Sequence, residues 1–479
     1  MTAPLLAAWT RFVDGPGAPF TIPGHKHRAG DVWPELGRVL AGDVPLFGGL
    51  GSVKDAPAAL AGAERLGADL WGADWCRYST GGSTHANQAL ALAVGRPGDR
   101  VLVTRTAHRS TLLGLILAGL EPVWLPVELD ARTGLPTGLN LAALAAALDA
   151  HPDAAGLFVT EPSYVGTLSD LPAVVELAHR RDVPVLVDQA WGAHLGFHPG
   201  YPSHALAVGA DAMVTSAHKT LPAYSQGSVV AARTDRLDRD RLDRGFDATA
   251  TTSPAGSILA SVDAARAVLA DPLGARLLDR LLAVVAAARV RLRGAPELEG
   301  VVVPGPEDFA PGRFDPAKLV VLLAGTPLSG NDLEAALIAA GRPLEMADRD
   351  TLVPIVTMLD DEQAVTGLVD GLIEQAGRVA HAAARPAAVA ASWQPALPPV
   401  ASSPRAAFFA RHETVPAAAA RGRTAAEVIA PYPPGVPVVV PGEVITAEVL
   451  DALRSAVGSG IRIAYAADPS LATLQVVAR

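Results

Sequence analysis

From about residue 80 to 232 the chain alternates short runs of apolar, largely β-branched residues with stretches whose apolar positions recur at helical spacing. VLVT (101–104), GLFVT (156–160), VPVLVD (183–188), DAMVTS (211–216) and GSVVAA (227–232) are bounded by turn residues and have the length of strands buried on both faces. Between them, Leu171, Val174, Val175 and Ala178 recur at i, i+3, i+4 and i+7, with Ser169 and Asp170 available as caps and Pro172 in the first turn. The stretch 84–94 predicts another helix, which Gly95 ends, with Pro97 beyond it. Such alternation predicts an α/β fold: a mostly parallel sheet with helices on both faces, whose ligands gather at the carboxyl ends of the strands.

After about 300 the pattern changes. KLVVLLAG (318–325), a helix over about 331–340 and LVPIVTM (352–358) predict a smaller α+β domain. ARPAAVAASWQPALPPVASSP (384–404) reads as an Ala/Pro-rich linker, extended at its prolines. The last unit holds PYPPGVPVVVPGE (431–443), a helix over about 447–457 and a closing strand IRIAYA (461–466). The expected organisation is an N-terminal arm (1–60), a large α/β domain (61–300), a small α+β domain (301–385), the linker (386–404) and a C-terminal α+β domain (405–479).

Composition narrows the partners. Of 479 residues 50% are hydrophobic and 18% charged, which suits two or three packed domains and excludes a disordered chain. The net charge of −10 leaves no cationic field for nucleic acid. The single cysteine, Cys76, excludes an internal disulfide and points to a reducing compartment. Beside Trp75 it reads as a small buried hydrophobe rather than a nucleophile. The start lacks a basic region ahead of an apolar one, and LLGLILAGL (112–120) is about half of the roughly 20 residues a spanning helix needs. A cytoplasmic protein with no membrane partner is the expectation.

Three segments carry chemistry. STGGSTHANQA places Gly81, Gly82, Ser83 and Thr84 at a helix start, where free N–H groups and two hydroxyls make an anion site. VPVLVDQAWGAH ends a buried strand in Asp188, a place that asks for a cationic partner. DAMVTSAHKTLP ends another strand at Ser216, with His218 and Lys219 next. Each has an ordinary alternative: a plain helix start, a structural ion pair, a solvated lysine. One cofactor uses all three at neighbouring strand ends, pyridoxal 5′-phosphate. The helix start takes its phosphate, the carboxylate keeps its ring nitrogen protonated, and the lysine forms the Schiff base.

The sequence resembles the ornithine/lysine/arginine decarboxylases of the aspartate-aminotransferase fold, in their shorter biosynthetic form without an N-terminal wing domain. The matching pieces are FTIPGHKHRAG (20–30), GGSTHANQA (81–89), RTAHRS (105–110), TEPSYVGTLSDL (160–171), DQAWGAHLGFHP (188–199), SAHKTLPAYSQGS (216–228), TTSP (251–254) and AARGRTAAEVIAPYPPGVPVVVPGE (419–443), in family order over nearly the whole chain. The resemblance implies Lys219 as the Schiff-base lysine, Asp188 as partner of the pyridinium nitrogen and His108 stacked on the ring. It implies Gly82, Ser83, Thr84, Ser216 and His218 around the phosphate, Ala190 beneath the ring and Trp191 near the phenolic oxygen. No metal is implied. Thr251, Thr252 and Ser253 would reach the phosphate of a partner subunit, making the protein a homodimer or larger. The activity implied is decarboxylation of a basic amino acid in polyamine or diamine synthesis, with arginine or lysine ahead of ornithine.

Several positions carry two readings. His25 and Lys26 line the site entrance or form a rigid turn, and Tyr164 contacts cofactor or substrate or packs in the core. Glu413, Arg423 and Glu443 form structural ion pairs or greet a substrate's distal cation. The chain departs from many relatives at 45–60, at Val165 where a second tyrosine is frequent, and at Gln189 where an acid is common. All three are expected near the substrate. An aminotransferase or another lyase of the same fold, and a non-catalytic binding protein, are the competing functions.

Overall fold

The computed structural model describes residues 1–14, 34–40, 42–43, 58–379, 397–432, 436–458 and 461–479. His25 and Lys26, positions 45–57, the linker up to 396 and residues 433–435 lie outside them.

The large domain is built on a seven-stranded sheet: β1 (Trp75–Ser79), β2 (Arg100–Thr104), β3 (Glu121–Leu125), β4 (Leu157–Thr160), β5 (Val185–Asp188), β6 (Ala212–Thr215) and β7 (Ser228–Ala232), in the order β1-β7-β6-β5-β4-β2-β3. All neighbouring pairs are parallel except those made by β7, which runs antiparallel to β6 and β1. The apolar runs belong to strands covered on both faces. Leu102, Leu157, Val159, Val185, Val187 and Met213 enter one hydrophobic cluster, whereas their alternating neighbours Val101, Val103, Phe158, Leu186, Ala212 and Val214 enter the other.

Helices close both faces. α1 (Gly82–Val94) buries an alanine- and leucine-rich face and ends at Gly95, where a Cβ would stand 2.6 Å from the Leu120 side chain. α2 (Arg109–Ala118) has His108 as its N-cap, and α3 (Leu171–His179) is capped by Asp170, with Pro172 in its first turn. A one-turn helix, α4 (Ala217–Thr220), follows β6 directly. Among the described residues no helix is long and apolar enough to cross a membrane.

Beyond 300 the structure corrects the element lengths. Of the apolar run 318–325 only Val321–Leu322 is strand; it pairs with Thr351–Val353 in a three-stranded sheet completed by Met346–Ala347. Lys318, Leu319 and Val320 before it and Leu323 after it are buried but lie outside the strand, because burial in the core does not require a ladder. The strand Arg462–Ala464 does not close the chain. Thr473–Val477 follows and pairs with His412–Pro416.

The C-terminal unit has its own core around Ile429, Val439, Ile445, Val449 and Val476, and docks on α2 through Val428 and Val440. An ion pair fastens the contact. Arg105, just past β2, donates to both oxygens of Glu443, at 2.5 and 2.9 Å, and to the Val438 carbonyl at 2.9 Å. Glu443 is thus structural and does not meet a substrate cation. Glu413 likewise pairs with Arg423 at 2.5 Å, and Arg423 also reaches the Val477 carbonyl.

Candidate active site

The carboxyl ends of β4, β5 and β6 and the amino end of α1 converge on a cavity of about 450 Å³. Gly82, Ser83, Thr84, His108, Asp188, Ala190, Trp191, Ser216, His218 and Lys219 all line it. Gly82 opens α1 at φ +69°, a left-handed value that favours glycine, and its N–H is spent on the Gln226 carbonyl. No side chain caps the helix, so its amino end faces the cavity unscreened. Ser83 and Ser216 join their hydroxyls at 2.7 Å, bringing the starts of α1 and α4 side by side. His218 holds its ring in place through Nδ1 and the Gly227 carbonyl, 3.0 Å apart.

Asp188, the last residue of β5, is buried; its Oδ1 accepts from the Ala190 amide at 3.2 Å and its Oδ2 from Asn87 at 2.7 Å. Lys219 stands with Nζ 4.1 Å from the centre of the Trp191 ring. Burial holds its pKa below the ordinary lysine range, against the opposing charges of Asp188 and Glu345. His108 keeps an open face in the single chain. Desolvation nevertheless lowers its pKa, against the pull of Asp188.

Sequence reasoning missed Lys318, Glu345 and the bonding of Asn87. Lys318 places its Nζ 4.1 Å from the same Trp191 ring and 5.2 Å from that of Tyr164, and burial pushes its pKa down to about 8. Gly166 (φ +92°) makes room for it, since a Cβ there would lie 2.6 Å from the Lys318 Cβ. Tyr164 packs edge-on to Trp191, ring centres 5.0 Å apart, and donates its hydroxyl to Glu345 at 3.2 Å. Asn87, within the GGSTHANQA motif, is the third. No local pattern marks Lys318 or Glu345, because their partners lie over a hundred positions away in the chain.

Two expectations are corrected. Val165 is fully buried against Leu135 and Val320, away from the cavity. Gln189 donates to the Gly192 carbonyl and accepts from the Ala205 amide, so it braces a turn rather than facing a substrate. Thr251 and Ser253 line a neighbouring cavity of about 630 Å³ and not the one around Lys219. Cys76 is free and buried.

The donor set suits pyridoxal 5′-phosphate: an uncapped helix start with hydroxyls for a dianion, a buried acceptor-only carboxylate, a desolvated amine, and flat side chains between them. With the sheet that carries it, this arrangement places the chain among the fold-type-I enzymes that use that cofactor. Comparison with known proteins narrows the class. The family described as "Orn/Lys/Arg decarboxylase, major domain" matches residues 3–310, and "Orn/Lys/Arg decarboxylase, C-terminal domain" matches 386–458. Arginine decarboxylases of Halalkalibacterium halodurans and Bacillus subtilis are 34% and 33% identical, each over 96% of this chain and 94% of its own length. The solved lysine decarboxylase of Francisella novicida superposes with a TM-score of 0.85 at 21% identity, over 99% of this chain and 81% of that one. The chain belongs to the Orn/Lys/Arg decarboxylase family: it is a pyridoxal-phosphate-dependent decarboxylase of a basic amino acid.

Proposed function

We propose that the substrate is arginine, converted to agmatine and CO₂ with pyridoxal 5′-phosphate held on Lys219. The observation that carries this reading is the likeness, along 96% of the chain, to two arginine decarboxylases. The exposed carboxylate of Glu345 supports a cationic side chain: its charge acts on both Lys219 and Lys318.

The bound cofactor supplies a sink for the electron pair released when the Cα–carboxylate bond breaks. The residues divide the remaining work. Lys219 would hold the group through its amine, which burial keeps partly desolvated. The amino end of α1, with Ser83, Thr84, Ser216 and His218, would hold the phosphate. Asp188 would accept from the protonated ring nitrogen, and Ala190, His108 and Trp191, which line the cavity, would bound the space for the ring. Lys219 or a nearby histidine would return a proton to Cα. The position of Thr251 and Ser253 on a separate cavity supports a homodimer in which they serve the partner's site. A cytoplasmic place in polyamine synthesis is consistent with the single free, buried cysteine.

The test is CO₂ release from arginine, lysine, ornithine and neutral amino acids, beside the visible absorbance of purified protein. Arginine should be preferred, and Lys219→Ala should abolish both absorbance and turnover. Absorbance that survives Lys219→Ala sinks the cofactor assignment. Keto-acid formation without CO₂ overturns the decarboxylase reading.

A further inference from the structure

Behind the cavity, hydrogen bonds run without a break from Asp188 to His108. Asn87, on the buried face of α1, donates from Nδ2 to Asp188 Oδ2 at 2.7 Å and to Ser110 Oγ at 2.9 Å. A carboxylate only accepts and an amide nitrogen only donates, so both amide protons are committed and the orientation of the Asn87 amide is settled. Ser110 Oγ, having accepted one proton, has its own hydrogen for its other neighbour, Nδ1 of His108 at 2.8 Å. The Ser110 backbone N–H points at the same nitrogen from 3.2 Å. Nδ1 therefore receives two donors, and a proton on it would displace both.

We propose that Asn87 and Ser110 are positioning residues that transmit the orientation set by the Asp188 carboxylate and hold the His108 imidazole neutral, with its one proton on Nε2. Asn87 and Ser110 are each 2% exposed, and neither lines the cavity, so they act through His108 and Asp188 and not by touching a ligand. The charged surroundings agree with the geometry. Desolvation, the largest influence on His108, opposes the imidazolium; Asp188 at the end of β5 favours it; Lys219 on α4 and Arg109 on α2 oppose it. The use of such a device rests on the reading of the cavity as a cofactor site. An imidazolium against the ring would set a second positive charge beside the ring nitrogen that Asp188 is there to keep protonated.

The experiment uses the full chain stripped of cofactor. Exchange of each imidazole C2 hydrogen for deuterium, read by mass spectrometry across the histidine range, gives the pKa of His108 with His198 and His218 as internal controls. The wild-type midpoint should lie below the ordinary histidine value. Ser110→Ala and Asn87→Ala should each raise it by roughly 0.5–1 unit, the worth of one hydrogen bond to the neutral form. Ser110→Thr, which keeps the hydroxyl, should restore it while the control histidines stay put. Unmoved midpoints in both alanine variants, or equal shifts at the controls, overturn the proposal. So does a ¹⁵N spectrum of the wild-type protein that places the His108 proton on Nδ1, a result that requires no variant to fold. Because no cofactor is present, these outcomes do not depend on whether Lys219 binds one; failure of that reading appears separately, as missing absorbance.

Discussion

Glu443→Ala removes the counter-charge from a guanidinium with almost no route to water. Arg105 is 1% exposed, and its bonds run to the two Glu443 oxygens and the Val438 carbonyl. Breaking a buried pair from one side costs about 3–5 kcal/mol, because the surviving charge stays desolvated. The Val440 amide, which donates to Glu443 Oε2 at 2.9 Å, loses its acceptor as well, for about 1 kcal/mol more. Burial raises the pKa of Glu443 even though Arg105 lies beside it, so the pair does not fully offset its own desolvation. Replacing both members, as Arg105→Met with Glu443→Leu, should therefore recover most of the loss. The measurement is denaturant unfolding followed by tryptophan fluorescence, reading the first transition, since a chain of several cores need not unfold in one step. A loss below about 1 kcal/mol in the single variant, or a double variant no better than the single, refutes the argument.

Two further outcomes follow from buried titratable groups. Burial raises Glu161 to a pKa of about 7, against its hydrogen bond from Ser169, so the folded protein keeps a proton that the unfolded chain releases near 4.5. The contribution of Glu161 to stability should fall as pH rises through that interval, by up to about 3 kcal/mol, and Glu161→Gln should remove it, leaving the parts due to Glu64, raised likewise to about 7, to Asp348, raised to about 6, and to His204, lowered to about 4, which acts in the opposite sense. An unchanged slope in urea titrations at several pH values would contradict this. Lys318 behaves as a depressed base: below about pH 8 the folded protein carries it charged at a desolvation cost that the unfolded chain escapes. Lys318→Met should stabilise the protein at pH 7 by about 1–3 kcal/mol, a gain that fades as pH climbs toward the ordinary lysine value, while turnover drops as Trp191 loses a flanking cation. A gain independent of pH would count against the cause given.

The strands were legible where the chain is apolar on both faces. Five runs predicted between 101 and 232 are strands, one helix starts at the expected cap Asp170 and another ends at Gly95 as expected. WCRYS and EPVWL at the sheet edges escaped notice because Arg77 interrupts the first and Glu121 and Pro122 open the second, and the antiparallel direction of β7 has no local signature. KLVVLLAG misled for the opposite reason: burial, which periodicity reports, does not require a ladder partner. At the cavity, residues in compact motifs were readable, since a Gly-rich helix start or a strand-end carboxylate limits the chemistry it can do. Lys318, Glu345 and the bonding of Asn87 were not, because each depends on a partner brought in by tertiary contact. The mistaken placing of Val165 and Gln189 has the same origin: membership of a motif does not say which way a side chain turns.

The contact between Arg105 and Glu443 also orders events in time. The two residues are 338 positions apart, and Val436, which helps wall the cavity, is close to the second. A chain that emerges from its N-terminus presents Asp188 and Lys219 long before the segment that closes over them. Until that segment arrives, Arg105 waits without its carboxylate and the cavity lacks Val436. A chain cut short after the lysine would carry the reactive amine without Val436 lining its cavity and without the counter-charge to Arg105.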